Sequence, residues 1–101
     1  MNRDPLRDAV DAPLFIVPRV LEGLRAFRPA LDGVALAEFE RLRGRLLEGI
    51  EGHPTRFWVL KQVQKSLGAV EGEDLETRKR FGVALKELLA IVGTDDAGVI
   101  L

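Results

Sequence analysis

Residues 73–93 read EDLETRKRFGVALKELLAIVG, and this stretch decides the fold. Leu75, Phe81, Leu85, Leu88, Leu89 and Val92 recur at the helical period, with no strand-like alternation of apolar and polar positions. Glu73 and Asp74 put negative charge where the helix N-terminus favours it. Asp74–Arg78 and Glu76–Arg80 are acidic-before-basic pairs four residues apart, each supporting a helix by a few tenths of a kcal/mol. Val83, Ala84, Ala90 and Ile91 add apolar character off the main stripe. The second half is therefore apolar nearly all round, which predicts a central, well-covered helix. Gly93 ends it.

The same period extends upstream. A helix over about 55–67 carries Val59, Leu60, Val63 and Leu67 on one stripe, with Thr55 as N-cap or Pro54 as an early helical residue, and Gly68 to terminate it. Another over about 33–50 starts behind Asp32 and aligns Leu36, Phe39, Leu42, Leu46 and Ile50, with Leu47 at the margin. Glu38, Arg41, Arg45 and Glu48 read as its outward face. Gly49, Gly52 and Pro54 break the chain between the two. A short helix from Pro18 to about Phe27 is stopped by Pro29. LFIV at 14–17 reads as extended, because residues before a proline avoid the helical region. Asp4–Pro5 can start one further short helix, and 1–17 is otherwise irregular. The terminal GVIL is apolar enough to fold back over a neighbouring helix. The expectation is one all-α domain over 1–101, a small irregular helical bundle with three main helices and one or two short N-terminal ones.

The final third, EDLETRKRFGVALKELLAIVGTDDAGVIL, resembles a small, functionally uncharacterised bacterial family of all-helical proteins. Members carry a late helix of the type E-L-hydrophobic-x-I-V-G, a short polar turn, then a glycine and an apolar pair. Glu87, Leu88, Leu89, Ile91, Val92 and Gly93 stand at those positions here, followed by Gly98 and Ile100–Leu101. FIVPR at 15–19 and HPT at 53–55 look similar as well. The family pattern runs on into an aromatic-containing tail that this sequence does not show. The resemblance implies an all-helical fold and supplies no catalytic residue.

With 101 residues the chain can bury one core. It has 15 basic and 16 acidic residues, spread evenly over both halves, which argues against nucleic acid as a partner. No polybasic cluster suits anionic lipid, and no apolar run approaches a membrane span. The charged N-terminus does not read as a signal peptide. The absence of cysteine excludes thiolate chemistry and suits a cytoplasmic location. Arg, Leu, Ala and Gly usage suggests a GC-rich bacterial source.

No constellation for catalysis or for holding a metal or cofactor emerges. His53 is the only histidine, and the only serine, Ser66, lies about three turns along the next helix, too far to pair with it. Glu71, Glu73, Asp74 and Glu76 lack calcium-loop spacing and read as helix-start acids, and Asp95–Asp96 read as turn formers. Arg41, Arg43 and Arg45 are spread over about 200° of helix surface. Arg43 falls on the face of Leu36, Phe39 and Ile50, so it must snorkel or find an internal carboxylate.

Trp58 lies about 150° from the inward stripe of its helix, beside Lys61, Gln62 and Lys65. Either LFIV or the terminal GVIL covers it, or these four residues form a partner contact, with Trp58 as anchor. Size and missing chemistry favour a non-catalytic protein-binding module such as an adaptor, inhibitor or immunity-like protein. The alternatives are a homodimeric structural protein and a small-molecule-binding or regulatory bundle, for which Arg43 and Gln64 are the polar hints.

Overall fold

The computed structural model describes residues 14–93, which form four α-helices: α1 (Pro18–Ala26), α2 (Gly33–Gly49), α3 (Arg56–Ala69) and α4 (Leu75–Ile91). The three main helices and the short one before them stand where their periodicity places them. A helix starting near Asp4, the Asp95–Asp96 turn and the GVIL tail lie outside the described residues.

Local signals explain most of the boundaries. Pro18 opens α1 at a position where a missing N–H costs nothing. Thr55 and Asp74 cap α3 and α4 by accepting the N–H of Trp58 at 3.2 Å and of Thr77 at 2.7 Å. Asp32 occupies the N-cap position of α2 but makes no side-chain cap bond. The chain turns into α2 through Gly33, whose φ of 55° favours glycine. Gly68 does not stop α3, which continues to Ala69. Glu76–Arg80 forms its ion pair at 3.2 Å, whereas the Asp74 carboxylate is taken by Thr77 and makes no ion pair with Arg78 among the described residues.

The core gathers Leu24, Phe39, Leu42, Leu46, Ile50, Val59, Val63, Phe81, Leu85, Leu88 and Leu89, all fully buried. Phe27, Phe39 and Phe81 join α1, α2 and α4 edge to face, with ring centroids 5.6 and 6.4 Å apart. Gly23 lets α4 approach α1 closely, since a Cβ there would lie 3.1 Å from Ile91 Cγ2.

The central helix is α2, which packs on α1, α3 and α4. This corrects the expectation that the last helix is central and covered all round. The α4 helix buries Phe81, Ala84, Leu85, Leu88 and Leu89 against α1 and α2. Its other side carries Leu75 and Val83, each 58% exposed. Among the described residues no helix packs against this side of α4, so its off-stripe apolar side chains do not mark a second packing partner there.

Candidate interaction surface

The proposed contact face of α3 does not stand free. Trp58 is half-buried and packs against the core, and Gln62 is buried, leaving only Lys61 and Lys65 exposed. The four residues share one face, as helical spacing requires, but its Trp58–Gln62 side is turned toward α2 while Lys61 and Lys65 stay exposed. The Trp58 indole sits on Gly49, where a Cβ would come within 2.7 Å of Cη2 and closer still to Cζ2. The imidazole of His53 stacks on the indole, with centroids 5.5 Å apart and planes 17° from parallel. Lys61 places its ammonium 5.8 Å from the Phe57 ring centroid. Among the described residues, Gly49, His53 and the core beneath supply cover for Trp58, while the GVIL tail lies outside them.

Two polar stripes meet along this seam. The buried Glu38 of α2 accepts a 2.9 Å hydrogen bond at Oε2 from the Ser66 hydroxyl of α3 and a 3.3 Å bond at Oε1 from Arg41 Nε. Arg45 Nη2 donates to Ser66 Oγ at 2.8 Å and to the Gln62 carbonyl at 3.1 Å, and its Nη1 lies 3.8 Å from Glu38. The sequence reading set Glu38 and Arg45 facing outward. Their helical angle is instead adjacent to the apolar stripe, where α3 lands. A buried carboxylate needs this degree of pairing, because an unpaired one costs several kcal/mol. A serine hydroxyl hydrogen-bonded to a carboxylate has the outline of an activated nucleophile, but Ser66 is fully buried and cannot meet a substrate here.

Arg43 is buried, but its carboxylate partner is the exposed Glu40 and not an internal one, and backbone carbonyls satisfy the rest of its guanidinium. Its Nη2 donates to Glu40 Oε1 at 3.0 Å. Nη1 donates to the carbonyls of Leu24 at 2.8 Å and Arg25 at 3.0 Å, and the guanidinium carbon lies 5.5 Å from the Phe39 centroid. Arg43 thus serves the open C-terminal carbonyls of α1, a role no sequence pattern announces.

The open surface lies elsewhere. A groove of about 530 Å³ runs between the end of α3 and the outer side of α4. Leu67, Leu75, Gly82 and Val83 supply apolar walls, and Arg78, Lys79 and Lys86 stand around them. None of these three cations is in an ion pair among the described residues. The signal was present in the sequence, since Leu75, Lys79, Gly82 and Lys86 follow one another at intervals of four, three and four, but the apolar residues near them read as core.

Among the described residues, no three His, Asp or Glu side chains gather as a metal cage, and no helix is long and apolar enough to cross a membrane. No protein-family model matches the chain, and no curated protein or solved structure matches it either.

Proposed function

We propose that this chain is a non-catalytic protein-binding module of the adaptor, inhibitor or immunity type, working in the bacterial cytoplasm, and that it binds through the α4 groove. One observation carries this reading: the groove combines exposed Leu75 and Val83 with three cations that make no direct ion pair among the described residues, Arg78 having only the longer-range attraction of Asp74. Apolar side chains left in water and charges left unpaired gain most when a partner covers both. The groups that could have supported chemistry or ligand binding are already engaged. Ser66 and Glu38 hold the α2–α3 seam, Arg43 holds α1, His53 stacks on Trp58, and Gln64 is an exposed residue.

Site-specific photo-crosslinking tests the proposal. A benzophenone amino acid at Val83 is compared with one at Val34, which is 54% exposed but does not line the groove. In cells that express the chain, one defined heterologous adduct should form from position 83 and not from position 34. Equal adducts from both positions, none from either, or an adduct with a second copy of the chain would overturn it.

A further inference from the structure

We infer that the occupant of the α4 groove is an acidic amphipathic helix of about three turns, presented by a partner protein. This rests on the groove being the docking surface and adds the chemistry of what docks there. The groove places Arg78, Lys79 and Lys86 around Leu67, Leu75 and Val83 on a chain whose net charge is −1, so the positive field is local. Complementarity calls for carboxylates flanking an apolar stripe. A phosphate backbone would meet the cations but leave the apolar walls wet, and the groove lining has no aromatic ring on which a base could stack.

The shape selects a helix. From Leu75 to Lys86 the wall of the groove follows α4 for about 16 Å, or three helical turns. An extended peptide draws its affinity from the backbone groups of a sheet edge, and α4 has its own backbone groups bonded within the helix. An amphipathic helix needs only a complementary apolar stripe. Gly82 lies at the middle of the lining, and a Cβ there would meet nothing within 4 Å. A mid-helix glycine is less favourable than alanine, and no contact among the described residues requires it. A second helix crossing at this point could approach the α4 backbone closely.

The probe is a fluorescein-labelled 18-residue peptide with leucines at helical i, i+3/i+4, i+7 spacing and glutamates flanking them. Three controls accompany it: the same peptide with lysine for glutamate, a scrambled peptide of identical composition without the apolar stripe, and a single-stranded oligonucleotide. Anisotropy should show binding of the acidic amphipathic peptide alone. Amide shifts of the isotope-labelled protein should concentrate at residues 75–86. Combining Lys79→Glu and Lys86→Glu should weaken the peptide by roughly tenfold or more, and rising salt should weaken it further. All these side chains are exposed, so unchanged circular dichroism and melting certify the fold of the variant. Equal binding of the scrambled or basic peptide, stronger binding of the oligonucleotide, shifts away from α4, or no binding would overturn the inference. A heterologous adduct at Val83 together with failure of the acidic helix would leave the groove as docking surface and remove only its proposed occupant.

Discussion

The indole of Trp58 occupies the volume that a side chain at position 49 would fill, and Gly49 is what allows α3 to lie so close to the end of α2. Gly49 has a negative φ, so alanine is not excluded by backbone conformation. Two effects compete in Gly49→Ala. Helix propensity favours alanine by up to about 1 kcal/mol, and less at a helix end. Overpacking against a rigid ring costs about 1–3 kcal/mol. The ring cannot yield without leaving its place beside His53, so destabilisation by about 1–2 kcal/mol should win. Trp58 emission should move to longer wavelength as the indole is displaced. An equal or higher melting temperature with unchanged emission would contradict this. His53 itself is exposed and contributes one face of the stack, so His53→Ala should preserve the fold and redden the emission only slightly.

Glu38 and Ser66 should behave as a coupled pair. Ser66→Ala removes the hydrogen bond donated to Glu38 and the one accepted from Arg45, and should cost about 2 kcal/mol. Glu38→Ala leaves Ser66 without its acceptor and Arg45 without its charge partner, and should cost about 2–3 kcal/mol. The double variant should cost less than the sum, because part of each single loss is the same bond. A double-mutant cycle by denaturant titration should give a coupling of about 0.5–3 kcal/mol, and strict additivity would show that the seam stores no such interaction.

Arg43 ties α1 to the rest of the bundle through the carbonyls of Leu24 and Arg25. Arg43→Met keeps most of the apolar stem and discards the charged hydrogen bonds, which should cost about 2–3 kcal/mol. The loss should be local. Hydrogen exchange should accelerate in residues 18–26 more than in the middle of α4. Arg43→Lys should recover only part of the stability, since one ammonium cannot reproduce the planar guanidinium's simultaneous bonds to two carbonyls and Glu40. Uniform acceleration across all four helices would argue against a specific hold on α1.

The helices and most of the core were legible because burial writes a period into the sequence. Leu42, Leu46, Val63 and Leu85 read as core and are core. Thr55 read as a cap and caps, and Asp74, read as a helix-start acid, caps α4 as well. Periodicity failed where one helix has two buried sides. Glu38 and Gln62 are polar and lie off the apolar stripes, so each read as exposed, yet both are buried at a seam that only the packing of α3 on α2 creates, Glu38 bonded to Ser66 and the Gln62 carbonyl to Arg45. The reverse error affected Leu75 and Val83, apolar residues whose side of α4 has no helix against it among the described residues. Hydrophobicity tells which residues gain from burial, but not whether the cover comes from within the chain.

Asp74 should make the stability of α4 sensitive to acid. Hydrogen bonding by Thr77, from its side chain and its backbone N–H, holds the Asp74 carboxyl below its ordinary range, with Arg80 and Arg78 adding attraction against a small desolvation effect. A depressed folded-state value means that the folded protein binds the proton less readily than the unfolded chain. The carboxylate therefore contributes stability that is fully present above the unfolded value of about 3.9 and is lost as pH falls through the lower folded value. Asp74→Ala should be less stable than the parent at neutral pH, and the gap should narrow on acidification below about pH 4. Asp74→Asn keeps a capping oxygen without a titrating charge, so its gap to Asp74→Ala should hold steady through the same window. Parallel melting curves of the parent and Asp74→Ala from neutrality into strong acid would show that the cap does not titrate in this way.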